Sequence, residues 1–166
     1  MSGVMFVRRS NSKSMTSRDR RSGVVLVENA IMASVFGLFL TGIMEFGHTY
    51  MVQGAMNAAV QRAARYGAVD GVSSQEVRAL ANQVLSSAFK SAKATVTVKN
   101  AGVFDTSGVD ARTINYANLP DLELLTAPTH QMYIVRITVP YNSVALLPPF
   151  WVKNVTLKAQ SVMRHE

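Results

Sequence analysis

Residues 24–44 read VVLVENAIMASVFGLFLTGIM, an apolar run of 21 residues in which Glu28 is the only charged side chain. About 20 helical residues, at 1.5 Å each, cross the roughly 30 Å hydrocarbon core of a bilayer. The run is also longer than the apolar region of about 7–15 residues in an ordinary cleaved secretory signal. It therefore predicts a membrane-spanning helix.

Glu28 does not fit an ordinary spanning helix. An ionised carboxylate at the centre of such a helix costs roughly 2.5–3.5 kcal/mol on insertion scales, so intramembrane carboxylates usually have a function. The alternative is that Glu28, only five residues into the run, lies at the headgroup level and is merely tolerated there.

Positive charge is concentrated before the apolar run. Residues 1–23 carry six basic side chains and one acidic one, and so account for five of the seven net positive charges. Basic residues beside a spanning helix set its orientation, with the basic side in the cytoplasm. We therefore expect a cytoplasmic leader at 1–23, a spanning helix at 24–44 and an extracytoplasmic domain at 45–166. The same reasoning argues against nucleic acid as a partner of the basic tail.

The composition gives no sign of catalysis. The chain has no cysteine, which excludes disulfides, thiolate metal sites and cysteine catalysis. His48, His130 and His165 stand apart, without partners at metal-ligand spacing, and no nucleophile elbow or phosphate-binding loop is present. We predict no enzyme, no cofactor and no small-molecule substrate.

The first helix is expected to continue beyond the membrane. Residues 45–69 are rich in alanine and contain no proline, which favours helix. Gly67 and the Asp70-Gly71 pair are typical of a helix end, so the helix should end at about residue 68. Within the apolar run, Ala33, Gly37 and Thr41 recur every four residues. Such spacing lets helix backbones approach closely in lipid. Alternatively, small residues are simply frequent in spanning helices.

The remaining sequence predicts a second helix and a small sheet. Ser73 and Glu76 match a capping box, which predicts a helix at about 74–92. Its apolar stripe contains seven residues: Val77, Leu80, Ala81, Val84, Leu85, Ala88 and Phe89. Strands are expected at about 94–99, 132–141 and 152–162, with a possible short fourth at 112–116. The predicted fold is α+β: a long N-terminal transmembrane helix that extends into a second helix and a 3–4-stranded antiparallel sheet.

Three features of the first helix carry a resemblance to a known family. Gly23 is followed by four apolar residues and then Glu28, an arrangement that resembles the class III signal of type IV pilins and pseudopilins. Residues 20–68 resemble TadE-like proteins, the minor pseudopilins of tight-adherence (Tad/Flp) pili, through a Gly-x-x-Glu-Phe stretch at 42–46 and the run AAVQRAARY at 58–66. Residues 155–166 resemble the last strand of that family. Asn29 departs from it, because Tad subunits often have an aromatic residue there.

The resemblance implies a structural role in a pilus or secretion apparatus of the bacterial cytoplasmic (inner) membrane. A prepilin peptidase would cut after Gly23 and make Val24 the new N-terminus. Glu28 would then pair with the Val24 amine of a neighbouring subunit, and Ala33, Gly37 and Thr41 would contact other helices. The implied partners are the prepilin peptidase, other pilins or pseudopilins, the pilus assembly machinery and membrane lipid.

Two other functions remain open from the sequence. The chain could be an uncleaved single-pass scaffold of the secretion machine, which would keep residues 1–23. It could also be a membrane-tethered surface-binding subunit, for which an exposed apolar patch at Phe150-Trp151 is the candidate site.

Overall fold

The computed structural model describes residues 17–90 and 93–166, with side chains described from residue 23 onward. The chain divides into two compact units, Met1–Thr41 and Gly42–Glu166. The described part of the first unit is helical, and all side chains from 23 to 41 are exposed. Among the side chains that the structure describes, all of the buried ones lie in the second unit.

Helix α1, Ser17–Gly67, is 51 residues long and begins inside the predicted leader. Its segment Gly23–Gly67 is long and apolar enough to cross a membrane, by length and composition. From Val52 onward the helix buries one face, on which residues recur every three or four positions. The buried side chains of this face are Val52, Met56, Ala59, Val60, Ala63 and Ala64.

Helix α2, Ser74–Ser86, starts at the predicted capping box: the Ser73 side chain accepts from the Glu76 amide, and the Glu76 side chain accepts from the Ser73 amide. The helix ends six residues earlier than the predicted residue 92. The hydroxyls of Ser86 and Ser87 donate to the carbonyls of Gln83 and Val84, and such back-bonding competes with further helix.

The predicted stripe of α2 is partly wrong. Val77, Ala81 and Leu85 are buried along a single i, i+4, i+8 line, whereas Leu80 lies at its edge and is only partly buried. Ala88 lies beyond the end of the helix and is exposed.

The sheet is antiparallel, in the order β1-β2-β3, with β1 at Thr95–Asn100, β2 at Met132–Pro140 and β3 at Thr156–Arg164. Val135 of the central strand faces Val98 on one side and Ser161 on the other. With α1 and α2, the sheet gives the predicted α+β fold with three strands. The described residues 112–116 form turns, so the expected fourth strand is not there.

The third strand begins at Thr156 and not at residue 152. Asn154 has a positive φ of 58°, which interrupts an extended chain, and the backbone amide of Val152 donates to a side chain instead of to β2. The predicted start was therefore wrong by four residues.

The end of α1 is packed closely against α2 and β2. A Cβ at Gly67 would lie 2.8 Å from Val77 Cγ2 and 2.9 Å from Leu124 Cδ1, so this position requires glycine. One turn earlier, the buried Tyr133 hydroxyl donates to the carbonyl of Ala64, and burial raises the pKa of Tyr133 to about 12.

Candidate membrane and assembly site

The predicted processing residues lie in the exposed part of α1. Val24 is exposed, and a Cβ at Gly23 would meet no other described atom within 4 Å. The packing of the described chain therefore does not explain glycine at position 23.

The predicted assembly residues also lie on this helix and have no tertiary contacts within the described unit. Ala33, Gly37 and Thr41 are spaced at i, i+4 and i+8 and so share one helix face, and all three are exposed. The Thr41 hydroxyl donates to the Gly37 carbonyl at 2.8 Å, which satisfies its hydrogen within the helix. The one hydroxyl on this face is therefore already hydrogen-bonded, and nothing in the described part of this unit covers the face.

Glu28 lies one helical turn after Val24, on the same side of α1. Its side chain is exposed, and no hydrogen bond or ion pair joins it to another side chain in the described ranges 23–90 and 93–166. The exposed carboxylate is therefore sterically free to accept a partner from another chain.

A second carboxylate, Glu45, forms a site that the sequence analysis did not predict. Its oxygens accept the backbone N–H groups of three consecutive residues: Phe150 at 3.1 Å, Trp151 at 3.1 Å and Val152 at 2.6 Å. Only 9% of Glu45 is exposed. Burial alone would raise the pKa of Glu45, but the three amide donors and the charge of Lys153 outweigh it and hold that pKa below its usual value.

The backbone of Glu45 is bound as well. Its carbonyl accepts the hydroxyl of buried Tyr141 at 3.1 Å, and the same hydroxyl lies 3.4 Å from His48 Nδ1. The residue therefore joins α1 to both ends of the loop between β2 and β3.

Gly42 and Phe46 complete this contact. A Cβ at Gly42 would lie 3.3 Å from two carbons of the Trp151 ring, so the indole packs directly on the helix backbone. The centroids of the Phe46 and Trp151 rings lie 6.4 Å apart. The Gly-x-x-Glu-Phe stretch at 42–46 is thus the attachment point of the 150–152 loop. The position of a carboxylate at the end of an apolar run singles out Glu45 in the sequence, but it does not identify the loop that Glu45 binds.

The described residues offer no arrangement for metal chemistry. In the ranges 17–90 and 93–166, no group of three or more His, Cys, Asp or Glu side chains could hold a metal ion. The ionised Glu76 and Glu123 accept hydrogen bonds from Ser73 and Ser74, respectively, and these bonds lower the pKa of both glutamates. Their role is to cap α2.

These features define a class of protein: a chain with one long apolar N-terminal helix that fits a membrane anchor, and whose C-terminal half forms part of the core of an α+β domain. Within this class, residues 23–65 match the model of the family described as TadE-like protein. The match confirms the resemblance over these 43 of the 166 residues and includes both Glu28 and Glu45. No curated protein and no solved structure matches the chain.

Proposed function

We propose that this chain is a minor pseudopilin of a Tad-type pilus or secretion apparatus, processed after Gly23 and assembled through its N-terminal helix. One observation carries the proposal: the TadE-like match begins at residue 23, the predicted cleavage glycine, and extends along the apolar helix. In this topology the N-terminus lies in the cytoplasm, α1 crosses the inner membrane, and the unit Gly42–Glu166 lies outside.

The role of the helix is structural. Cleavage by a prepilin peptidase would free an α-amino group on Val24, with an ordinary pKa of about 7.7–8.0. In a helix bundle of low dielectric, this cation and the Glu28 carboxylate of a neighbour would offset each other's loss of hydration. The open face of Ala33, Gly37 and Thr41 allows close helix contacts with other pilins or pseudopilins.

The proposed function involves no catalysis. It needs no cofactor and no small-molecule substrate, and its partners are the peptidase, other pilus subunits, the assembly machinery and lipid. The two glutamates of α1 fit this role because one is available to a neighbouring chain and the other fixes a loop of the same chain.

The intact mass of the protein purified from membranes tests the proposal. We expect a chain that begins at Val24, and we expect Gly23→Val to retain the full leader, because a branched side chain would obstruct the peptidase. Gly54→Val is the control, since position 54 is open and lies far from the cut. Recovery of residues 1–23 in assembled pili would instead support an uncleaved scaffold.

A further inference from the structure

The loop between β2 and β3 exposes an unusual group of apolar side chains. Residues 146–153 read LLPPFWVK. Four large apolar side chains among them are exposed: Leu146 at 76%, Leu147, Phe150 at 59% and Trp151 at 41%. A contiguous apolar patch of this kind on a soluble surface usually marks a binding surface.

The loop lies at the end of the apolar run. The Trp151 indole packs on Gly42, and Glu45 binds the loop three residues further on. Since the apolar run ends at Met44, these contacts within the second unit place the 146–153 loop beside its last helical turn. Exposed Ile43, Met44 and Phe46 continue the patch onto α1.

The backbone of the loop is prepared for an apolar surrounding. Pro148 and Pro149 have no N–H group, and the next three amides all donate to Glu45. Five consecutive residues, 148–152, therefore offer no free backbone donor. Irregular backbone is tolerated next to hydrocarbon only when its polar groups are satisfied by protein.

The side chains of the loop match the chemistry of a membrane interface. Tryptophan is enriched where acyl chains meet headgroups. Lys153 Nζ lies 5.5 Å from the Phe150 ring centroid, so its ammonium is next to the patch and can extend toward lipid phosphates.

The geometry points to a second membrane attachment: residues 146–153 bind phospholipid at the boundary between headgroups and acyl chains of the outer leaflet, next to α1. This inference rests on the proposed function only in that α1 must span the membrane. It would fix the orientation of the unit Gly42–Glu166 on the bilayer, because one helix alone leaves rotation about its axis free.

Trp151 is the only tryptophan, so the natural chain carries its own probe. The experiment reconstitutes the full chain into vesicles of phosphatidylcholine and phosphatidylglycerol, with and without lipids brominated near the headgroup end of the acyl chains. Bound bromolipid should quench most of the Trp151 emission.

A matched probe position tests the depth. The double variant Trp151→Phe with Leu125→Trp moves the single tryptophan to position 125. This position follows Leu124, whose side chain packs against Gly67 at the end of α1. Gly67 is 25 residues along α1 from Gly42, or about 37 Å at 1.5 Å per residue. Leu125 is exposed, and we expect bromolipid to quench its replacement weakly.

The loop side chains are tested by Leu146→Ser with Leu147→Ser, which leaves Trp151 and the Glu45 contacts in place. Leu146→Ser alone, at the most exposed of the four positions, is the second variant if the double variant does not fold. Reduced quenching in either folded variant supports lipid binding by the loop, and unchanged quenching in both overturns it.

Vesicle flotation separates the possible failures. A chain that floats with vesicles but keeps unquenched Trp151 emission overturns this inference and leaves the proposed function standing. A chain that does not float overturns both. If Trp151 is unquenched in vesicles but its emission shifts to the blue in sheared pili, the patch binds a neighbouring subunit and the lipid inference is wrong.

Discussion

At the scale of single residues, two glutamates of α1 have opposite surroundings. Glu28 is exposed, and its carboxylate has no described partner in its own chain, whereas three amides surround Glu45. The same functional group therefore supports two different hypotheses: an intermolecular ion pair for Glu28 and an intramolecular clamp for Glu45.

Acid should release the Glu45 clamp. Because the folded pKa of Glu45 lies below its ordinary value of 4.5, its contribution to stability is complete above about pH 4.5 and is lost as the pH falls through the folded value. Trp151 emission should then shift to the red. Glu45→Gln should abolish this acid transition. Lys153, His48 and Tyr141 are the other ionisable side chains nearby, and His48→Gln should retain it.

This readout isolates Glu45 from the other carboxylates with lowered pKa values. Glu76 and Glu123 bind Ser73 and Ser74 at the start of α2, not the Trp151 loop. An identical acid transition in the parent chain and in Glu45→Gln would contradict the clamp.

Assembly should depend on the charge of Glu28. Glu28→Gln keeps the shape and polarity of the side chain but would leave the Val24 amine of a neighbour uncompensated, at a cost of about 3–5 kcal/mol. We expect this variant to be cleaved and folded but absent from pili, and Glu28→Asp to be partly competent. The measurement is the fraction that co-purifies with sheared pili, normalised to processed protein in the membrane. Equal assembly of Glu28→Gln and the parent would show that the carboxylate is only tolerated.

At the scale of elements, α2 contributes to the core through a narrower line than its sequence indicated. Val77, Ala81 and Leu85 are fully buried, and Val84 and Phe89 pack partly against them. The helix is therefore held on the sheet by positions four residues apart, with Leu80 at the margin.

Leu85 and Leu80 provide a matched pair to test this line. Leu85→Ala should lower the free energy of unfolding by about 2–5 kcal/mol, because it removes a fully buried side chain and leaves a cavity. Leu80→Ala deletes the same atoms from a partly buried site and should cost less. Urea denaturation followed by Trp151 emission measures both; equal losses would place Leu80 in the core.

At the scale of the whole molecule, the part of α1 from Gly42 to Gly67 belongs to the second unit and contributes to its core. The buried residues begin at Gly42, and all side chains from 23 to 41 are exposed. The exposed apolar part of α1 thus contributes no burial to the described domain.

We therefore expect residues 42–166 to fold without the rest of the chain. The fragment should show mixed helix and strand circular dichroism and cooperative unfolding. Residues 68–166 are the control: this fragment lacks the buried face of α1 from Val52 to Ala64 and should not fold. A folded control fragment, or a disordered 42–166 fragment, would contradict the assignment of α1 to the core.

Local signals in the sequence predicted most of the fold but not the Glu45 site. The capping box at Ser73 and Glu76 fixes the start of α2 through bonds within four residues. Gly67 ends α1 close to the predicted position. The clamp could not be predicted in this way, because Glu45 and Val152 are 107 residues apart and the amides that bind the carboxylate are backbone groups common to every residue. The bond from the Val152 amide to Glu45 also helps to explain why β3 begins at Thr156, four residues later than local β propensity predicted.

The long separation between α1 and its binding partners has a consequence for biosynthesis. Translation at about 5–20 residues per second makes the loop that binds Glu45 roughly 5–20 s after Glu45 itself. In the proposed topology, the buried face of Val52, Met56 and Val60 and the uncapped Glu45 carboxylate would emerge from the membrane well before β3 exists. During those seconds the nascent chain would present an uncovered apolar helix to the extracytoplasmic space, and periplasmic chaperones or proteases would have access to it until the last strand is delivered.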